Sequence, residues 1–211
     1  MNRKTKLKKF FRSSQADLAY ISEYESNQDY IEELVSNGYN EDLEVFLPIK
    51  LLKYADPLIK TGNYTKALKI ILEIEESLKK MRSSKYYKPH FDYTMFLKAV
   101  CLGRLKKNNE SNGILTDLLI KTPDNEKFSN WYRWNLKQKV DRVMIPFQFI
   151  TIGIYLIMLV LDLIGYEGKN DLVQRLSFVL ALVSVVVSYL IKKWIDNKTL
   201  KFGRKTVHNI T

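Results

Sequence analysis

The side chains best able to carry acid–base, nucleophilic or metal chemistry are few and scattered. The 211 residues hold two histidines, His90 and His208, and one cysteine, Cys101. His90 falls in a proline-containing turn and His208 in a basic stretch. Neither has the local Cys or His spacing that a metal centre needs. No nucleophile elbow, Walker loop or glycine-rich dinucleotide motif is found. Glu73, Glu75 and Glu76 are the densest carboxylates, and they read as the solvated face of a helix. Cys101 lies in an apolar stretch and reads as a reduced core residue. These residues predict a non-enzymatic chain with no metal, no cofactor and no small-molecule substrate.

Charge is the second source of chemistry. Residues 1–12 carry six basic residues and no acid, residues 192–211 carry six and one, and residues 13–191 balance at 22 of each. A nucleic-acid-binding domain normally carries its basic footprint on the folded body and adds aromatic stacking platforms. Basic ends on a neutral body fit anionic lipid headgroups better. Phe10 and Phe11, following the KLKK run, read as an interfacial anchor. The expected partner is therefore a bilayer with anionic headgroups, and no nucleic acid.

Composition sets the frame for the elements that position these groups. With 46% hydrophobic residues, 8 Gly, 5 Pro and one Cys, collagen-like, low-complexity and disulfide-stapled chains are excluded. Two apolar runs dominate the C-terminal third. Residues 143–161 contain no charge, and Leu163 and Ile164 continue the run past Asp162. Residues 176–191 contain none either, and Leu172 and Val173 lengthen the run if Arg175 snorkels. Each predicts a helix able to cross a hydrocarbon core of about 30 Å, at about 1.5 Å per residue.

GYEGKNDLVQ between the runs reads as a tight turn, so spans 143–164 and 172–191 form a hairpin. Asp162 and Arg175 fall near its turn end, where they pair with each other or reach the headgroups separately. Trp131, Trp134, Tyr166, Tyr189 and Trp194 are placed at the membrane–water interfaces, with Arg142, Lys192 and Lys193 as flanking cations. Lys137, Lys139 and Arg142 precede the first span, six cations follow the second, and the turn has only Lys169 and Arg175. This asymmetry predicts an integral membrane protein with both termini cytoplasmic, in a bacterial inner membrane or an organelle membrane. The N-terminus lacks the apolar core of a cleavable signal peptide.

Ser177, Ala181, Ser184 and Ser188 share one face of the second span. Small residues let helices approach closely in lipid. They predict packing on the first span near Gly153, or a self-association face. Pro146 kinks the first span or separates it from the helix before it.

Residues 13–142 show helical spacing throughout. Ala67, Leu68, Ile71, Leu72, Ile74 and Leu78 make one stripe, and Phe96, Leu97, Val100 and Cys101 start another. Lys60-Thr61-Gly62-Asn63-Tyr64-Thr65-Lys66-Ala67 resembles the turn between the two helices of a tetratricopeptide repeat. In that family a glycine opens the turn, an aromatic follows, and a small residue lets the helices pack. The resemblance implies packing roles for Leu51, Tyr54, Ala55 and Leu58, then Ile71 and Ile74. A weaker second unit uses Met95, Ala99, Leu102, Leu115, Leu118 and Pro123, with Lys106 replacing the glycine and Ser111 the small residue. The offset from Ala67 to Ser111 exceeds the usual repeat length, which an insertion around 81–90 accounts for. The resemblance further implies a partner groove lined by Leu52, Asp56, Tyr93, Phe96, Val100 and Arg104.

Residues 14–36 predict one acidic capping helix, and 126–142 a last helix running into the first span. The expectation is an all-α chain: a basic tail (1–13), a cytoplasmic tetratricopeptide-like helical domain (14–142), a two-helix transmembrane hairpin (143–191) and a basic tail (192–211). Its expected function is that of a membrane-anchored adaptor binding a protein partner. The alternatives are a toxin or effector whose hairpin oligomerises and permeabilises the membrane, and an accessory subunit of a larger membrane complex.

Overall fold

The computed structural model describes residues 2–36, 41–80, 87–165 and 171–208, with side chains limited to 172–197 in the last stretch. Among the described residues every regular element is a helix. The chain divides into two units, Met1–Leu118 and Leu119–Thr211. The expected boundary at 142 therefore differs from the observed one, and 126–142 groups with the hairpin.

Unit 1 opens with α1 (Arg3–Arg12), capped by the Asn2 side chain, which accepts from the Lys4 N–H at 3.3 Å. The expected basic tail with its interfacial anchor is thus a folded helix. Leu7 and Phe11, four residues apart, are each 2% exposed. Phe11 stacks beside Tyr20 at 6.2 Å and meets Tyr24 edge-on at 6.4 Å. The single acidic helix expected over 14–36 is also corrected. It is two helices, α2 (Asp17–Ser26) and α3 (Gln28–Ser36). Asn27 breaks them, at φ −124° and ψ 12°. Its amide donates back to the Glu23 carbonyl at 2.9 Å, a local bond that competes with helix continuation.

The next rod is α4 (Glu41–Lys50), a π-helical turn (Leu51–Ala55) and α5 (Asp56–Lys60). The Asp56 N–H reaches five residues back to the Leu51 carbonyl. Pro57 follows directly; it has no N–H and its ring crowds the carbonyl four residues earlier. Widening the turn ahead of it relieves that crowding.

Then come α6 (Tyr64–Lys79), α7 (Tyr87–Arg104) and α8 (Asn108–Lys121). Two turns in this region have the same geometry. At the first, Gly62 has φ +85°, and at the second Lys106 has φ +66°. Asn63 N–H bonds Leu58 O at 2.8 Å, and Lys107 N–H bonds Leu102 O at 2.9 Å. Gly62 and Lys106 N–H each bond the carbonyl three residues back, at 3.1 Å. This is the helix-ending motif with a left-handed residue, which glycine adopts freely and lysine at a cost of about 1 kcal/mol. Five residues beyond each left-handed position stands a small, fully buried side chain, Ala67 or Ser111. Ser111 Oγ donates to Ala99 O at 2.6 Å, which settles its hydroxyl between α7 and α8.

The core of unit 1 joins Leu43, Phe46, Leu51, Tyr54, Leu58, Ile71, Ile74 and Leu78, all at most 1% exposed. Tyr24 stacks on Tyr54 with centroids 4.1 Å apart. Lys50 is buried among them and is held by two carboxylates, at 2.6 Å from Glu32 and 2.8 Å from Glu73.

Unit 2 contains two helices of 38 residues each, α9 (Glu126–Leu163) and α10 (Asp171–His208). Asn125 caps α9, accepting from the N–H groups of Lys127 and Phe128 at 3.1 and 3.3 Å. The helix before the first span and the span itself are therefore one element, with Pro146 inside it. The expected C-terminal tail is corrected in the same way: α10 continues through His208.

Candidate functional site

The hairpin has inverted polarity. Its inner face carries Thr151, Ser177, Ser184 and Ser188, at 3–7% exposure. Three of these hydroxyls are visibly spent on their own helix. Thr151 bonds the Phe147 and Gln148 carbonyls at 3.1 and 3.0 Å, Ser177 bonds Val173 O at 2.7 Å, and Ser184 bonds Ala181 O at 2.7 Å. Such bonds satisfy a hydroxyl where no water reaches it. The outer face carries Phe149, Ile150, Ile157, Val160, Val179, Leu182 and Val186, all more than half exposed. Two helices here are long and apolar enough to cross a membrane.

The small-residue stripe is consumed inside the hairpin. Ser177, Ser184 and Ser188 are buried and Ala181 is half-buried. Gly153 is a correction: a Cβ added there would meet nothing within 4 Å, so it is no point of close approach.

Cation–carboxylate pairs join the helices beyond the apolar runs. Lys137 Nζ stands 2.7 Å from Asp196 Oδ1, and Lys192 pairs with Asp141. Lys192 is thus held by a carboxylate on α9, while Arg142 and Lys193 are exposed. Tyr189 and Trp194 are exposed, at 62% and 59%. Trp131 and Trp134 meet edge-to-face at 5.1 Å. Tyr166 lies outside the described residues.

The six expected groove residues separate into three groups. Phe96 and Val100 are 2% and 4% exposed. This corrects their assignment: they belong to the core of unit 1, where α7 is buried all round, with Ala99, Cys101 and Leu102 buried as well. Asp56 and Tyr93 are brought together from α5 and α7. Burial first, and then the Asp56 carboxylate beside it, push the Tyr93 phenol up to about 12. Asp56 also binds Lys60 at 3.0 Å. Leu52 and Arg104 remain at the surface, the Arg104 guanidinium 5.8 Å from the Tyr64 ring centroid. Leu18 and Leu72 stand exposed on unit 1, and Lys50 was missed as a buried cation. The signal for Lys50 was its place inside the apolar segment FLPIKLL.

Among the described residues no three His, Cys, Asp or Glu side chains are grouped to hold a metal ion. His90 is half-buried, and desolvation lowers its pKa. Burial pushes the Cys101 thiol up to about 12, away from thiolate reactivity. Around Lys50 the Tyr24 hydroxyl donates to Glu32 at 3.1 Å, and the Tyr54 hydroxyl donates to Glu25 at 3.2 Å. Glu25 also takes Lys66 at 2.7 Å. Burial, and then the Glu32 charge, hold the Tyr24 phenol far above its usual range. This network pins α2, α3, the π-turn rod and α6 to one arrangement.

Compared with known proteins, the chain matches no family model, no curated protein and no solved structure.

Proposed function

We propose that the chain is a membrane-anchored helical adaptor. Its hairpin holds it in a bilayer, and its helical unit offers a surface to a protein partner at the cytoplasmic face. The observation that carries this reading is the polarity of the hairpin. Hydroxyls face inward and are bonded to their own backbone, while the apolar side chains face out. That is the pattern of a lipid-embedded pair with no polar lumen. The effector reading draws less support, because the small-residue face it would use for oligomerisation is already buried.

The two turns at Gly62 and Lys106 support the likeness of unit 1 to tetratricopeptide repeats, a fold that binds partners along stacked hairpins. The surface left for a partner is narrower than the sequence suggested, with Leu52, Asp56, Tyr93 and Arg104 as its candidate contacts. The cation bias of the spans supports cytoplasmic termini, in a bacterial inner membrane or an organelle membrane alike.

The test combines extraction and protection of the full chain. Membranes carrying a doubly tagged protein should retain it at alkaline pH. Protease added to sealed right-side-out vesicles should leave both tags intact, and loss of either tag overturns the topology. Photo-crosslinkers at Leu52 and Arg104 should trap one and the same protein adduct. Their failure to trap any protein would remove the adaptor reading and leave the anchor.

A further inference from the structure

We infer that the outward face of α1 is an electrostatic docking surface for anionic lipid headgroups. This rests on the reading that the hairpin spans a bilayer. The helix wheel of α1 divides its charges by use. Leu7 and Phe11 point into unit 1. The cations flanking them are engaged within it: Arg3 bonds Asn27 at 3.0 Å and lies over the Tyr30 ring, Lys4 pairs with Asp42, and Lys8 lies over Phe46. Lys6, Lys9 and Arg12 recur every third residue on the side opposite Leu7 and Phe11. All three are exposed, and among the described residues none has an ion-pair partner.

Charge bookkeeping isolates this face. Residues 13–118 carry 14 basic and 16 acidic side chains, so the positive excess of unit 1 is confined to α1. Lys9 and Arg12 stand in the last turn, where they also favour the helix dipole. Lys6, in the middle of the helix, gains nothing from that dipole.

The apolar side chains of α1 are not available for insertion. Phe11 is buried, and Phe10 is half-buried with its ring edge-on to Phe11 and Tyr20 at 5.4 and 6.1 Å. Contact is therefore Coulombic, strong only within a Debye length and dependent on salt. The same burial removes the aromatic platform that a single-stranded nucleic acid would stack upon. A bilayer is the anionic surface that a span-bearing chain always has at hand.

The experiment uses the full chain in lipid nanodiscs, with a fluorophore on Thr5→Cys and an acceptor dye in the lipid. Cys101 is fully buried and stays unlabelled. Energy transfer is expected to be high in discs with about 30% phosphatidylglycerol and low in pure phosphatidylcholine. It should fall at about 0.5 M NaCl, where the Debye length is only about 4 Å. The K6E/K9E/R12E variant should lower the docked-to-undocked ratio by about a hundredfold or more. K6S/K9S, which reverses no charge, should lower it by a smaller factor.

Equal transfer in neutral and anionic discs would overturn the inference, as would indifference to salt in the unmodified chain. Tighter binding of a DNA or RNA oligonucleotide than of anionic discs at the same salt would overturn it too. Failure of the chain to enter discs at all would count against the membrane-spanning reading instead, which keeps the two claims separable.

Discussion

In residues 1–118 the apolar side chains turn inward, and charges from distant segments tie the surface together. In the hairpin the order is reversed. Phe46, Leu58 and Ile74 are at most 1% exposed, whereas Phe149 and Ile150 are more than 60% exposed and Ser184 is buried. Among the described residues both regions are helical, so secondary structure does not separate them. The solvent does. In water the gain comes from removing apolar surface, about 25 cal/mol per Å². In lipid that gain vanishes, and helices are held by close packing and satisfied polar groups.

The sharpest test of this contrast is truncation on the two sides. Phe46→Ala should destabilise unit 1 by about 3–5 kcal/mol. Val186→Ala, on the exposed face of α10, should change hairpin stability by less than about 0.5 kcal/mol in lipid, because the methyl groups lost were already in hydrocarbon. Alkylation of Cys101 reads the first effect. With its thiol pushed up to about 12, the native chain should react at pH 8 about a thousandfold more slowly than the unfolded one. A similar cost at both sites would break the comparison.

Lys50→Ala should cost about 2 kcal/mol, seen as an earlier denaturant midpoint. Removing the cation leaves Glu32 and Glu73 facing each other, but their side chains are 37% and 41% exposed and take up water. Ser184→Leu should destabilise the hairpin by about 1–3 kcal/mol, by overfilling the α9–α10 contact. Its readout is separation of dyes on the two helices during denaturant titration in micelles. A more stable hairpin would show that the serine face was not packed. The smallest effect is a gain: Lys106→Gly should stabilise unit 1 by about 1 kcal/mol, by releasing a left-handed lysine. A loss there would mean that the two turns are not equivalent.

Parts of this architecture were legible in the residues. The two apolar runs stand out because a lipid-facing helix needs no alternation, only length. The turn at Gly62 was readable because a left-handed residue leaves a chemical trace, glycine followed by a small packing residue. The second turn was harder, since Lys106 takes the same conformation without that trace. The basic N-terminus misled for a physical reason: Leu7, Phe10 and Phe11 are only three apolar residues among six cations, and they suffice when α2 supplies the other side of the contact. Phe96 and Val100 misled because a repeat register says which face is concave but not whether other helices fill it. Pro146 suggested a break, yet a proline removes one hydrogen bond and need not end a long helix. For the candidate site, Asp56 and Tyr93 were placed together by the register, whereas the Lys50 pairs join segments 18 and 23 residues apart, and no local pattern encodes them.

The length of α9 has a mechanical meaning. Its 38 residues make a rod of about 57 Å, of which a bilayer's hydrocarbon takes about 30 Å. In the proposed membrane arrangement nearly half the rod is a lever arm in water, cross-braced to α10 by Lys137–Asp196 and Lys192–Asp141. A change of about 10° in the tilt of the spans, well within the range of membrane helices, would sweep its far end sideways by about 5 Å. The braced pair would thereby turn bilayer thickness into displacement outside it.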